Sequence, residues 1–197
     1  MYTGDIESLK RELVEAMKLL VYRGLTNPLG GNASFRIGGY MWITPSGLPK
    51  HSLSTNDLVL YDLSRDTYMG LHKPSIEYRV HKTIYERVCK AKAVIHAHPP
   101  LSTALFNRLG LEWVRETLVE IQYSVYGIAI IDYYHPGSIE LAKAISENVS
   151  DKVNVVVSRR HGLFVWSKSI ASALDTIVSL EDAARYYITL NRLGATG

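Results

Sequence analysis

The sequence predicts an α/β fold: a single domain over residues 1–197, in which a central, mostly antiparallel sheet lies between layers of helices. Three observations predict it. The chain opens with an apolar repeat at helical spacing, Ile6, Leu9, Leu13, Met17, Leu20 and Val21. Further on, short β-branched runs such as Val94-Ile95 and Val155-Val156-Val157 alternate with helical stretches. Gly38-Gly39 joins two short runs as a hairpin, a connection that requires antiparallel neighbours. A chain of 197 residues can enclose one sizeable core.

The elements follow in order. The first helix covers about residues 5–23 and stops at Gly24, a residue suited to a helix end. Asn27 to Asn32 is a loop by its proline and glycine content. Ala33 to Ile37 and Tyr40 to Thr44 form the hairpin strands, and Pro45-Ser46-Gly47 breaks the second. Leu58 to Leu63 is another strand. Pro74 opens a helix through about Cys89, with Val80, Ile84 and Val88 as its apolar stripe. Ala93 to Ala97 is a strand, Thr103 to Arg108 a helix and Ile128 to Ile131 a strand. A helix over 139–149 follows Pro136-Gly137-Ser138. Val153 to Ser158 and Leu163 to Trp166 are strands, and a long helix covers about 169–193.

Composition narrows the function classes. The net charge is +3 and no block of basic residues is present, which argues against a nucleic-acid-binding role. Cys89 is the sole cysteine, so an intrachain disulfide is excluded and a cytoplasmic location fits. The N-terminus is charged and amphipathic, unlike a secretory signal, and no apolar run is long enough to span a bilayer.

The most informative motif is Ala93-Val-Ile-His96-Ala-His98-Pro-Pro100. On a strand, residues i and i+2 point to one face, so both imidazoles can converge on one point. The two prolines then end the strand. Imidazole suits zinc and related metals. His161 ends another run and precedes Gly162, which permits a close backbone approach. Glu77, near a helix start, is the candidate for a fourth ligand or a base beside a metal. Read one by one, these residues are equally compatible with unrelated, hydrogen-bonded histidines. His81 stands one turn after Glu77, either as a supporting partner or as an ordinary helix residue. His51, His72 and His135 lie in loop-like contexts, as solvated residues. Gly31-Asn32-Ala-Ser34, Thr44-Pro-Ser46-Gly47 and Pro74-Ser75 place small polar groups in turns that can cradle a phosphate.

These segments together resemble the class II aldolase/adducin family. The resemblance rests on Gly31 to Ser34, Ile43 to Gly47, Lys73 to Glu77 with His81, Val94 to Pro99, Pro136 to Ser138 and Arg160 to Gly162. Their order and spacing agree over about residues 9–190. Within the family the chain is most similar to the short fuculose-1-phosphate aldolases. The resemblance implies an α/β/α sandwich, usually assembled as a homotetramer. It implies zinc, or another divalent metal, held by His96, His98 and His161, with Glu77 as metal ligand and catalytic acid/base. It places the substrate phosphate against Asn32, Ser46, Gly47 and Ser75. The implied reaction reversibly cleaves a ketose 1-phosphate, such as L-fuculose 1-phosphate, to dihydroxyacetone phosphate and an aldehyde such as lactaldehyde. It runs through a metal-stabilised enediolate, without a lysine Schiff base. Relatives on the same scaffold are pentulose-phosphate 4-epimerases, methylthioribulose-1-phosphate dehydratases and adducin-like scaffolds, the last of which tend to lose the metal histidines. In two respects the chain leaves the family's usual pattern open. Ile76 stands where a second serine often occurs, and the tyrosine that protonates the aldehyde oxygen has no unique counterpart among Trp113, Tyr123 and Tyr126, with Glu116 and Glu120 nearby.

Overall fold

A computed structural model of the chain describes residues 5–194, the side chain of Glu116 excepted. Six α-helices accompany eight strands: α1 (Ile6–Tyr22), β1 (Asn32–Ile37), β2 (Tyr40–Ile43), β3 (Val59–Asp62), β4 (Thr67–Met69), α2 (Tyr78–Arg87), β5 (Ala93–Ala97), α3 (Pro100–Leu109), α4 (Ile121–Ser124), β6 (Ile128–Ile131), α5 (Ile139–Asn148), β7 (Val155–Ser158), β8 (Gly162–Ser167) and α6 (Ile170–Gly194). The strands form one sheet in the order β4-β3-β2-β1-β5-β8-β7-β6. Every pairing is antiparallel except β6 with β7, whose connection runs through α5.

The alternation of side chains on β5 explains the layering. Ala93, Ile95 and Ala97 face a core shared with Leu13, Met17 and Leu20 of α1, Phe106 of α3 and Ile177 and Leu180 of α6. Val94 faces the opposite core, built with Val80 and Ile84 of α2 and Leu141 and Ile145 of α5. The sheet is thus covered on both faces, and β5 and β8 are buried along their whole length.

Two sequence expectations are refined. The expected helix from Pro74 begins only at Tyr78, with Glu77 at the capping position. Strand β4 and helix α4 were not foreseen: β4 is a three-residue edge strand with every residue exposed, so it shows no apolar alternation.

Helix α3 begins immediately after the paired-histidine segment, and α6 holds its first turn. The buried Glu181 carboxylate of α6 accepts hydrogen bonds from the Leu101 and Ser102 amides at 3.0 and 2.8 Å, and from Ser102 Oγ at 2.9 Å. Those amides have no partner within their own helix, so a carboxylate from a neighbouring helix meets both their hydrogen-bonding need and the positive end of the helix dipole.

Candidate active site

The site lies where β1, β5 and β8 end beside the N-terminus of α2. In the β1–β5 register Asn32 stands opposite His96. Directly opposed residues share a face, so these two side chains emerge together. His161 precedes β8, and Gly162 makes the approach possible: a Cβ at Gly162 would overlap the Ala97 carbonyl oxygen and lie 2.9 Å from His98 Cδ2. At Gly31 the backbone is left-handed, and a Cβ would come within 2.8 Å of the His96 carbonyl oxygen.

His96, His98 and His161 each offer one nitrogen, and the three lie within 4.8 Å of one another. For His96 and His98, hydrogen bonding at Nδ1 leaves Nε2 as the inward nitrogen. His96 Nδ1 lies 2.9 Å from the Leu163 carbonyl, which can only accept, so Nδ1 carries the proton and Nε2 presents a lone pair. His98 Nδ1 lies 3.3 Å from Thr26 Oγ1, leaving its Nε2 directed inward. The two Nε2 atoms are 2.8 Å apart. Phe164 stacks on the His96 ring at 4.0 Å between centroids and holds its plane.

Glu77 closes the cluster. Its Oε2 is 3.3 Å from His96 Nε2, and its Oε1 is 3.4 Å from His161 Nε2. Burial pushes the Glu77 carboxyl up to about 7, opposed by a hydrogen bond from Asn32. The histidines shift the other way: burial and neighbouring rings hold His96 well below its ordinary value, and burial with His98 nearby brings His161 down to about 4. Three imidazoles that each offer a nitrogen toward one point stand beside a buried carboxylate whose Oε1 has no hydrogen-bond donor among the described residues, an arrangement that a bound cation would satisfy. The donor set therefore fits a divalent metal held by His96, His98 and His161, with Glu77 alongside.

The polar turns line the same cavity of about 310 Å³, which brings Asn32, Ser46, Gly47 and Ser75 together with Glu77 and the three histidines. The Thr44–Gly47 and Lys73–Glu77 segments are tied to each other, Ser46 N to the Lys73 carbonyl and Ser75 N to the Thr44 carbonyl, both at 3.0 Å. The residues expected from the sequence to hold metal, carry the proton or bind phosphate thus all line one cavity. Ile76 also lines it and is 56% exposed.

The aromatic candidates are not brought there. Trp113 is buried in the core against Phe106, and Tyr123 is 82% exposed. Tyr126 packs edge-on against Trp166. None of the three, nor Glu120, lines the cavity, and the Glu116 side chain lies outside the described residues.

Of the two readings the sequence leaves for His81, the geometry fits the supporting partner rather than the ordinary helix residue. It is fully buried and linked to the site: Nε2 lies 2.6 Å from Asn32 Oδ1, and Nδ1 lies 2.7 Å from Ser34 Oγ. Asn32 Nδ2 in turn donates to Glu77 Oε2 at 2.8 Å. The signal for this role was its i+4 spacing from Glu77; its burial depends on β1, which the spacing does not reveal. Thr26 and Lys50 carried no local signal at all. His72 is also more engaged than expected, 3.2 Å from Asp57, whereas His51 and His135 are exposed.

Comparison with known proteins gives a consistent picture. Residues 11–188 match the family described as Class II Aldolase and Adducin N-terminal domain. The chain is 32% identical over 182 residues to the L-fuculose phosphate aldolase of Methanococcus maripaludis, covering 92% of this chain and 97% of that protein. It is 33% identical over 192 residues to the methylthioribulose-1-phosphate dehydratase of Methylococcus capsulatus, covering 92% and 93%. A solved L-fuculose 1-phosphate aldolase superposes with a TM-score of 0.77 at 26% identity, over 98% of this chain and 91% of that one.

Proposed function

Because the chain belongs to the class II aldolase and adducin family, we propose that it is a zinc-dependent lyase that reversibly cleaves a ketose 1-phosphate to dihydroxyacetone phosphate and an aldehyde. L-fuculose 1-phosphate, yielding lactaldehyde, is the substrate we put first. The observation that carries the reading is the union in one cavity of three inward-facing imidazoles, a buried carboxylate and a set of polar turns. Catalysis of this kind needs a carbonyl polariser, a base and a phosphate anchor within one substrate's reach.

His96, His98 and His161 would hold the metal, which when bound supplies Lewis-acid polarisation of the substrate carbonyl. Glu77 is the proton carrier. Its position at the start of α2 sets its carboxylate inside the cavity, and Asn32 fixes Oε2 while Oε1 has no donor among the described residues. In the condensation direction Oε1 accepts a proton from the hydroxymethyl carbon beside the carbonyl; in cleavage it returns one. Asn32, Ser46, Gly47 and Ser75 take the phosphate, with backbone and side-chain donors offered by turns that are braced against each other.

The reading includes a homotetramer, carried over from the family resemblance, and a cytoplasmic location, which the single cysteine, Cys89, suits. No helix among the described residues is long and apolar enough to cross a membrane.

A second reading is dehydration of methylthioribulose 1-phosphate on the same scaffold. It is favoured by the 33% identity to the Methylococcus capsulatus dehydratase. A pentulose-phosphate 4-epimerase would share the same ligand set. One assay separates these readings: release of dihydroxyacetone phosphate from L-fuculose 1-phosphate, by chelator-treated protein and after zinc is restored. Zinc-dependent release with lactaldehyde as coproduct is expected. Turnover of methylthioribulose 1-phosphate or a pentulose phosphate instead, with none of L-fuculose 1-phosphate, would replace the aldolase reading.

A further inference from the structure

One charged side chain lining the cavity has no role in the chemistry above. Lys50 is only 2% exposed. It is also the one lysine or arginine among the residues that line the cavity. Its ammonium donates to the Leu48 carbonyl at 2.8 Å, and no carboxylate among the described residues pairs with it. A buried lysine is ordinarily matched by an anion, because an ammonium taken out of water without one is costly. Desolvation accordingly lowers the Lys50 pKa.

The surroundings show where the missing anion would sit. The Lys50 amide donates to the Pro28 carbonyl at 2.7 Å, which joins its turn to the glycine loop on the neighbouring wall. Ser46 and Gly47, a few residues earlier on the same turn, line the cavity with it. The cavity's other ionisable groups are Glu77 and histidines held neutral by burial. A phosphate monoester brings about two negative charges at neutral pH, and hydroxyls and amides alone do not neutralise them.

We propose that Lys50 is the counter-ion of the substrate phosphate and makes the enzyme selective for phosphorylated over neutral sugars. This inference rests on the phosphate subsite of the proposed function. The ammonium keeps its bond to Leu48 and turns its remaining protons to phosphate oxygens, a charge-assisted contact of the strong kind.

The test is calorimetric titration of the zinc-loaded protein with inorganic phosphate at fixed ionic strength, for the native chain, Lys50→Met and Lys50→Arg. Lys50→Met is expected to weaken phosphate binding tenfold or more, and Lys50→Arg to stay within about threefold of native. Without phosphate, Lys50→Met is expected to melt at or above the native temperature, since it removes an unpaired buried charge. A merely structural lysine would give the opposite: a lower melting temperature with phosphate affinity unchanged, and that result overturns the proposal. Borohydride trapping of a ketose on Lys50 would also overturn it, by making the amine a covalent nucleophile. If the native protein binds no phosphate, the phosphate subsite fails and this inference with it. If phosphate binding depends on Lys50 but no ketose phosphate is cleaved, only the proposed reaction fails.

Discussion

Asn32 Oδ1 and His81 Nε2 lie 2.6 Å apart, and this bond determines which end of the Asn32 amide faces Glu77. The Nε2–H of His81 donates to the oxygen, so the NH2 group is left for Glu77 Oε2. Ser34 Oγ, itself 2.8 Å from the Tyr85 hydroxyl, lies 2.7 Å from the other ring nitrogen, Nδ1, and as a hydroxyl can donate to it. A buried chain of hydrogen bonds from the core of α2 therefore ends on the Glu77 carboxylate.

His81→Phe breaks that chain while filling the same space. Asn32 can then rotate and present its oxygen to Glu77. The expected outcome is a fall in kcat of about 10- to 100-fold, the range seen when a partner behind a site residue is lost. Zinc stoichiometry should stay near native by metal analysis. A kcat within twofold of native would show that the orientation of Asn32 is set elsewhere.

The three histidines should act as one unit. His96→Ala, His98→Ala and His161→Ala are each expected to lower zinc affinity by tenfold or more and to remove activity in proportion. Competition with a chromophoric chelator measures the first, and turnover after excess zinc measures the second. Full activity with any one imidazole missing would disprove a three-histidine site.

Glu77→Gln keeps the shape of the side chain but removes the proton acceptor. Zinc binding should persist through the histidines, with turnover down about 10²- to 10⁴-fold, the usual weight of a positioned base. Isotope exchange at the hydroxymethyl carbon of dihydroxyacetone phosphate is the direct readout. Native exchange rates in the variant would assign the base to another residue.

Acidification should destabilise the metal-free protein through His81. Burial brings its pKa from 6.5 to about 3. The unfolded chain then takes up a proton that the folded chain refuses, so this contribution is complete above about pH 6.5 and is lost as pH falls toward 3. The slope is at most about 1.4 kcal/mol per pH unit. Glu77 has the opposite sign: raised from 4.5 to about 7, it keeps its proton in the folded state and stability declines as pH rises through that window. Urea unfolding in chelator, native against His81→Gln, isolates the first effect. The variant should gain on the native protein steadily below pH 6.5, and parallel curves would contradict the assignment.

Gly162→Ala introduces a Cβ that overlaps the Ala97 carbonyl oxygen. Strand β8 must then move away from the end of β5, carrying His161 from His98. We expect a loss of about 1–3 kcal/mol in stability, typical of overpacking a close contact, with weaker zinc binding. Denaturant unfolding with and without zinc measures both effects.

Much of this arrangement was legible in the sequence because it depends on local periodicity. The alternation His96-Ala97-His98 at a strand end, the glycine after His161 and the β-branched runs each announce a strand and its face. The helical repeat of α1 does the same. What was not legible depends on partners far along the chain. His81 offers only its spacing from Glu77 until Ser34 of β1 is laid against it. Lys50 looks like any surface lysine, for nothing near it in sequence signals its burial. Strand β4 is formed by its pairing with β3 and not by its own exposed side chains.

The clasp between Glu181 and the first turn of α3 has a consequence for how the protein is made. On the ribosome the paired-histidine segment emerges about halfway through the chain, followed at once by the amides of Leu101 and Ser102. The carboxylate that secures those amides comes some eighty residues later. Until α6 has left the exit tunnel, the turn after His98 lacks the carboxylate that caps its amides. Completion of the turn that follows His98 is thereby coupled to translation through the last helix.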